Sequence, residues 1–156
     1  MQTLEKTIDI AVPVRAAYDQ WTQFESFPRF MEGVEEVTQL DDRHLHWVAK
    51  VGGSKQEWDA EIIEQVPDQR IEWRSERGDA NSGIVTFEPL DAQHSRVALR
   101  LGYEPEGMAE KAGDKLGFLS RRTEGDLKRF KQFIESRGSE TGGWRGTIED
   151  HPETTP

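Results

Sequence analysis

The stretch KQEWDAEIIEQVPDQRIEWRSER, residues 55–77, decides the fold of this chain. Apolar and charged residues alternate along it, with Trp58 and Ile62 on the apolar parity. A period of two is typical of a β-strand with one buried face. The turn-forming pair Pro67 and Asp68 interrupts the alternation, and Trp73 lies on the apolar parity of the part that follows. The stretch therefore predicts two antiparallel strands joined by a tight turn.

The same alternation extends in both directions from this hairpin and predicts seven strands in all. Most of the separators are short and turn-like, and connections of that length join antiparallel neighbours. The predicted strands are residues 3–12, 34–40, 44–51, 55–66, 70–77, 83–89 and 95–104. One parity is apolar and the other is charged, so the sheet must bury one face against another element.

Helical periodicity identifies that covering element near the C-terminal end of the chain. Between about residues 107 and 137 the apolar residues fall within a sector of about 120° at 3.6-residue spacing. Two short helical segments are predicted after the first strand, one opened by Pro13 and one within Glu25–Met31. The fold class predicted is α+β, with a seven-stranded antiparallel sheet curled around a long C-terminal helix.

Composition excludes several classes of function. The chain has 156 residues and no cysteine, which excludes disulfides, thiolate metal sites and a cysteine nucleophile. Its 20 Lys and Arg against 30 Asp and Glu give a net charge of −10, which argues against general affinity for nucleic acid. No stretch approaches the roughly 20 apolar residues of a membrane helix, and the N-terminus lacks a signal-peptide pattern. We therefore expect a cytoplasmic protein with no integral membrane association.

Residues 1–138 are predicted to form one domain, and residues 139–156 an acidic, flexible tail. Gly138 is a natural end for the last helix. The sequence after it, SETGGWRGTIEDHPETTP, has no period, many turn residues and one isolated aromatic residue, Trp144. We expect removal of this tail to leave the melting temperature nearly unchanged.

Recognised catalytic and cofactor-binding motifs are absent from the sequence. It contains no GxGxxG, no phosphate-binding loop, no Gly-x-Ser-x-Gly and no His-Glu-x-x-His. No cofactor is therefore predicted, and catalytic residues stay unknown. His44 and His46 have a spacing that some metal sites use, with Glu57 or Asp59 as a third ligand. Both histidines fall on the charged face, so no metal site is predicted.

Large aromatic residues on the apolar face predict either a filled core or the wall of a ligand pocket. Thr123 is the one polar residue near the middle of the apolar stripe of the last helix. Its hydroxyl bonds back to the helix or points into a cavity. A structure in which the rings of Trp47, Trp58 and Trp73 pack solidly together, with no cavity of at least about 300 Å³, would contradict ligand binding here. The candidate ligand-binding residues are Phe27, Phe30, Trp47, Trp58, Trp73, Arg77, Phe87, Tyr103 and Thr123.

A few polar residues depart from the apolar parity near the strand ends. Glu64, Ser75 and Arg77 are predicted to face inward, towards the mouth of the curled sheet. Arg77 is a candidate partner for an acidic ligand group or for Glu64. The alternative is a rim residue whose stem packs and whose charged head reaches water.

The order of elements resembles the helix-grip fold of the START-like superfamily, and within it the polyketide cyclase/dehydrase and lipid-transport group. The resemblance covers about residues 3–137, and TGGWRG at residues 141–146 is similar to actinobacterial members. Its most specific pieces are FPRFMEGVEEV, EWDAEIIEQVPDQRIEW and EGDLKRFKQFIESRG.

This resemblance implies a small hydrophobic or aromatic partner, such as a polyketide-, lipid- or quinone-like molecule, held in an internal cavity. A protein that binds or carries this molecule is one function it implies. The alternative is a polyketide cyclase/aromatase-like enzyme that acts in the same cavity, and a protein-interaction module that uses the tail is a further one. The resemblance is stronger evidence for the fold than for an activity, because one fold hosts many functions.

Overall fold

The computed structural model describes residues 2–51, 54–75, 81–103 and 109–148 of the chain. The elements in these ranges are β1 (Gln2–Ile10), α1 (Val14–Trp21), a 3₁₀ helix (Phe24–Arg29), β2 (Val34–Gln39), β3 (His44–Val51), β4 (Ser54–Val66), β5 (Arg70–Ser75), β6 (Asn81–Asp91), β7 (His94–Tyr103) and α2 (Ala109–Arg137). The predicted α+β helix-grip architecture is confirmed, with the two short helices after the first strand. Neither α-helix within these ranges is both long and apolar enough to cross a membrane.

All seven strands belong to one antiparallel sheet in the order β1-β7-β6-β5-β4-β3-β2. Strands β2 to β7 form a meander, and β1 pairs with the outer edge of β7. The apolar face of the sheet packs on α2, whose Leu127, Phe130 and Ile134 are buried in the same core as Ile71 and Val85. The alternating pattern thus acts as predicted, because it gives the sheet one face that must be covered.

Helix α2 is held against the segment that precedes β2 by polar contacts. The Arg129 Nε–H donates to the Phe30 carbonyl at 2.9 Å, and the Glu32 N–H donates to Asp126 Oδ1 at 3.0 Å. Gly33 has a φ of +89°, and a Cβ at this position would lie 2.1 Å from Arg122 Nη1. The left-handed backbone favours glycine at this position, and the end of the Arg122 side chain lies in the space that a Cβ would fill.

A bulge in β4 changes which side chains face the core. Ile62 pairs with Trp73, but the register then shifts and Glu64 pairs with Glu72 on the charged face. Gln65 is consequently the buried residue, with 1% of its surface exposed. The prediction that Glu64 faces inward is wrong, because one extra residue in a strand reverses the parity of everything after it. Glu64 instead accepts hydrogen bonds of 2.7 and 3.1 Å from Arg70.

Residues 141–148, here called the C-terminal segment, are docked on the domain. Ile148 is buried and forms an antiparallel bridge with Gln65, with N···O distances of 2.7 and 2.9 Å. The Thr141 N–H donates to Gln20 Oε1 at 2.7 Å, and the Trp144 N–H donates to Thr22 Oγ1 at 3.0 Å. The prediction of a flexible tail is wrong for these residues. Irregular chain held by side-chain hydrogen bonds has no period for a sequence pattern to reveal.

Residues 149–156, the rest of the predicted tail, lie outside the described residues. We propose that the folded unit extends to Ile148 instead of ending at Gly138. The truncation experiment in the Discussion tests this boundary.

Candidate ligand-binding site

A cavity of about 180 Å³ lies between the sheet and α2. Its wall is apolar except for a few polar groups, of which Ser82, Thr123 and Asp126 are three. The lining residues are Trp21, Phe24, Phe27, Met31, Leu45, Trp47, Trp58, Ile62, Ile71, Trp73, Ser82, Leu99, Leu101, Thr123, Asp126 and Leu127. The volume is below about 300 Å³, but the three tryptophan rings do not fill the space, since Trp47, Trp58 and Trp73 all border the cavity.

Three tryptophans form the sheet side of this cavity. Trp47 and Trp58 are directly paired on β3 and β4, and their rings are parallel, with centroids 6.0 Å apart. Trp73 of β5 is paired with Gly83 of β6, where an added Cβ would lie 2.4 Å from the Trp73 ring. The missing side chain of Gly83 therefore provides the space in which the Trp73 ring lies.

One polar atom of this wall lacks a partner. The Trp47 Nε1 atom is buried, and no hydrogen-bond acceptor is found for it in the described part of the chain. The Phe27 ring lies 5.7 Å from the Trp47 ring, and the Trp58 ring stacks on the Trp47 ring. Neither of these neighbouring rings carries a hydrogen-bond acceptor for the indole N–H. A buried donor without an acceptor costs about 1–3 kcal/mol.

Asp126 is a charged residue among the cavity-lining side chains. Its side chain is 14% exposed, and its Oδ1 atom accepts hydrogen bonds from the Glu32 N–H and from Arg129 Nη2, the latter at 2.5 Å. Burial raises the pKa of Asp126 above its ordinary value, although these two hydrogen bonds act in the opposite direction.

The candidate residues predicted from the sequence do not include Asp126. A usable signal was present. Asp126 follows Thr123 by three residues, and residues at this spacing share one side of a helix.

The predicted site residues fall into three groups. Phe27, Trp47, Trp58, Trp73 and Thr123 line the cavity, and their role in ligand binding stays a prediction.

Phe30 and Phe87 are placed in the core instead of on the cavity wall. The Phe30 ring packs on Phe130 at a centroid distance of 5.2 Å, and the Phe87 ring packs on Tyr18 at 5.3 Å. Both are largely buried, with 2% and 6% of their surfaces exposed. Arg77 lies outside the described residues, and Tyr103 is the last residue of β7 with its side chain outside the described part.

Trp21 and Phe24 are cavity-lining residues that the site prediction did not include. Their spacing along the chain is typical of one apolar side of a helix, which indicates burial but not what the side chains face. Trp21 of α1 and Phe24 of the 3₁₀ helix line the same cavity as the three tryptophans of the sheet, and the Trp21 ring packs on Phe27 with centroids 5.5 Å apart.

The histidines of β3 engage carboxylates on the charged face. His46 Nδ1 lies 2.6 Å from Asp59 Oδ1, and His46 Nε2 lies 3.1 Å from Glu57 Oε1. These two hydrogen bonds raise the pKa of His46. Within the described ranges, no group of three or more His, Asp or Glu side chains is arranged to hold a metal ion.

A curled antiparallel sheet that grips a long helix over an apolar cavity defines the helix-grip class. The family model described as polyketide cyclase / dehydrase and lipid transport matches residues 10–132. The chain therefore belongs to this family.

The relatives include proteins with and without a named activity. An uncharacterized 17.2 kDa protein of Streptomyces lincolnensis is 53% identical over 149 residues, which are 95% of this chain and 99% of that protein. A protein of Deinococcus radiodurans with a crystal structure is 28% identical to this chain and has a TM-score of 0.69. The match covers 88% of this chain and 99% of that chain. The Zhui aromatase/cyclase of Streptomyces sp. R1128 has a TM-score of 0.75 at 16% identity, covering 92% and 99% of the two chains. At that identity the likeness concerns the fold alone.

Proposed function

We propose that this protein binds or carries a small, uncharged aromatic molecule in the cavity between the sheet and α2. The observation that carries the proposal is that Trp47, Trp58 and Trp73 all border the cavity. The rest of the cavity is lined mainly by aliphatic and phenyl side chains. A molecule that replaces water against such a wall gains about 25 cal/mol for each Å² of apolar surface buried.

The cavity volume limits the size of the molecule. An apolar cavity of about 150 Å³ is large enough to hold benzene. A volume of about 180 Å³ thus suits one aromatic ring with a short substituent, or the ring portion of a longer polyketide-, lipid- or quinone-like molecule. Membership of a family described by polyketide cyclisation and lipid transport supports a hydrophobic ligand of this kind.

The experiment is calorimetric titration with isopropylbenzene, a single-ring hydrocarbon. Wild-type protein is expected to bind it with a stoichiometry near one and with quenching of tryptophan fluorescence. The variant Leu101→Trp puts a larger side chain into the cavity wall and is expected to lose this binding. Leu90→Trp is the matched control, because Leu90 is 41% exposed and its replacement leaves the cavity unchanged.

Two results would overturn the proposal. One is the absence of saturable binding to folded wild-type protein. The other is equal binding by Leu101→Trp and Leu90→Trp, provided that circular dichroism shows both variants to be folded, since the probe would then bind elsewhere.

A second candidate function is catalysis of ring closure, and the position of Asp126 favours it. A carboxyl group with a raised pKa beside an apolar cavity is the kind of group that donates or accepts a proton during catalysis. The fold that this chain shares with an aromatase/cyclase supports the same candidate.

Heptane-2,4,6-trione tests this candidate. Bond formation between C1 and C6, followed by loss of one water molecule and enolisation, converts it to orcinol. If the protein catalyses this reaction, wild type forms orcinol faster than buffer alone does. Asp126→Asn is then expected to lose most of this rate but to keep its binding of isopropylbenzene. If wild type forms orcinol no faster than buffer alone, the catalytic candidate fails and the proposed binding function stands.

A further inference from the structure

Most of the buried polar residues in the described ranges contact the C-terminal segment. Six polar or charged residues are buried there, and three of them, Asp19, Gln20 and Thr22, belong to the last turn of α1 and the residue that caps it. A fourth, Gln65, forms the bridge to Ile148. Buried polar groups need partners, and the segment bonds to all four residues, to Gln65 through its main chain.

The contacts at the end of α1 alternate along the chain with residues of the cavity wall. Trp21 and Phe24 line the cavity, and Thr22 lies between them in the sequence. The Thr22 hydroxyl donates to the Asp19 carbonyl at 2.6 Å and accepts from the Trp144 N–H at 3.0 Å. One buried hydroxyl therefore joins the C-terminal segment to the main chain that carries both wall residues.

Packed rings continue from this point to the tryptophans of the sheet. The Trp21 ring packs on Phe27 at a centroid distance of 5.5 Å, and the Phe27 ring lies 5.7 Å from the Trp47 ring. All three residues line the cavity, whereas no residue of the segment does. Any effect of the segment on a bound molecule must therefore pass through the end of α1 and these rings, because closely packed side chains transmit displacements.

Two adjacent glycines lie where the segment approaches α1. A Cβ at Gly143 would lie 2.8 Å from Cγ and 2.9 Å from Cβ of Asp19, which is buried and held by Arg145. A Cβ at Gly142 would meet Gln23 Oε1 at 2.9 Å, and this atom is the far end of a flexible side chain. A methyl group at Gly143 must therefore push the segment away from α1, whereas a rotation of Gln23 accommodates one at Gly142.

We propose that the C-terminal segment positions the α1 side of the cavity, with Thr22 as the positioning residue, so that docking of the segment and binding of an aromatic molecule are coupled. The coupling is reciprocal: if release of the segment weakens binding by some factor, the bound molecule opposes release by the same factor. We expect a factor of about five, the lower end of the usual range. This inference rests on the proposed binding function and adds the element that controls the affinity.

Hydrogen exchange of the full wild-type chain measures the coupling. The N–H groups of Thr141, Trp144 and Ile148 are bonded to the domain, so their exchange reports local release of the segment. Saturation with isopropylbenzene is expected to slow this exchange about fivefold. A segment with a purely structural role would exchange at an unchanged rate, since its local release does not require the domain to unfold. The Gln93 N–H, bonded to Asp91 in an exposed turn, is the control and should not respond.

Gly143→Ala loosens the segment without changing a residue of the cavity wall. Its dissociation constant for isopropylbenzene, measured by calorimetry, is expected to rise by up to about fivefold. Gly142→Ala is the matched control, because it has the same effect on the unfolded chain and is expected to keep the wild-type affinity. The exchange rate at Thr141 in each variant shows how far the segment is released.

The outcomes separate this inference from the proposed function. If isopropylbenzene binds to wild type but leaves exchange of the segment unchanged, the inference is overturned and the binding function stands. Wild-type affinity in Gly143→Ala, together with fast exchange of its segment, overturns the inference as well. If isopropylbenzene does not bind to folded wild-type protein, the proposed function itself fails. If Gly143→Ala does not fold or does not release the segment, the exchange rates of wild type alone decide.

Discussion

Two Asp–Arg pairs in this molecule have nearly the same chemistry and different consequences. Asp19 lies 2.5 Å from Arg145 and Asp126 lies 2.5 Å from Arg129, and the two aspartates have side chains only 7% and 14% exposed. Burial raises the pKa of both carboxyl groups above the ordinary value. The partners differ in origin, since Arg129 is three residues from Asp126 in one helix whereas Arg145 is 126 residues from Asp19.

That difference in sequence separation gives each pair its role. Arg145 also contacts Asp68 at 2.7 Å and lies over the Tyr18 ring at 5.5 Å, so one guanidinium fastens the C-terminal segment to two parts of the domain, α1 and the turn between β4 and β5. The Asp126–Arg129 pair also holds α2 against the segment before β2, through Glu32 and Phe30, but Asp126 borders the cavity as well. Asp19 is therefore a structural contact alone, whereas Asp126 combines a structural contact with a position on the cavity wall.

The largest expected effect comes from truncation after Gly138. Removing the C-terminal segment exposes the site of Ile148 and breaks its bridge to Gln65. Burial of one such side chain is worth about 1.5–3 kcal/mol, and part of this is offset by the freedom that the released chain regains. We expect a loss of about 2 kcal/mol, seen as a fall of about 4–8 °C in melting temperature.

Truncation after Ile148 is the control and is expected to melt within about 1 °C of wild type, since it keeps the contacts of residues 141–148 described above. Equal melting temperatures for the two truncated proteins would show that the segment adds nothing to the domain.

The next effect is expected for Arg145→Ala, which leaves Asp19 covered by the segment but without its main partner. A hydrogen bond to a charged group contributes about 1.5–3 kcal/mol, and we expect a loss near the lower end because Arg145 is 31% exposed. Urea denaturation measures this loss in the free energy of unfolding. Arg15→Ala is matched to it, since Arg15 contacts the same carboxylate at 3.7 Å but is 69% exposed, and should cost below about 0.5 kcal/mol. Equal losses in the two variants would contradict the role of Arg145 as a clamp.

Gly83→Ala probes the other end of the domain. The new Cβ must displace the Trp73 ring, and the adjacent cavity gives the ring somewhere to move. We expect a stability loss of only about 1 kcal/mol, the low end for overpacking, together with weaker binding of isopropylbenzene. At Gly125 an added Cβ meets only the end of the Arg129 side chain at 3.2 Å, so Gly125→Ala should keep the affinity. Unchanged affinity in Gly83→Ala would show that Trp73 does not border the bound molecule.

The smallest effect is the pH dependence of the two aspartates. A raised pKa means that the folded state holds the proton more tightly, so each group contributes stability that is lost as the pH rises from 3.8 through the folded-state pKa. The unfolding free energy of Asp126→Asn minus that of wild type should therefore increase with pH in this window, by less than about 1 kcal/mol. Asp19→Asn should show the same sign. A difference that decreases with pH would mean that the arginines, and not burial, control these carboxyl groups.

Much of the cavity wall could be predicted from the sequence, because alternation along a strand alone decides which side chains face it. Trp47, Trp58 and Trp73 lie on the apolar parity of three strands, and the structure places all three on the cavity. The prediction failed where parity changes within an element, as at the β4 bulge that buries Gln65 in place of Glu64. It also failed for Phe30 and Phe87, since a pattern that marks a residue as buried does not distinguish the core from a cavity wall.

The sequence by itself determined the seven strands, the long helix and the face that each buries, because those properties depend on the local period of apolar residues. Tertiary structure decided the rest: the volume left beside the tryptophans, the orphaned Trp47 N–H, the exposure of Asp126 to the cavity and the docking of Arg145 on Asp19. Each of these depends on where residues far apart in the chain come to lie once the sheet has curled. A local pattern carries no information about such distances, so only the closed fold shows that Asp19 holds the C-terminal segment through Arg145 and that Asp126 borders the cavity.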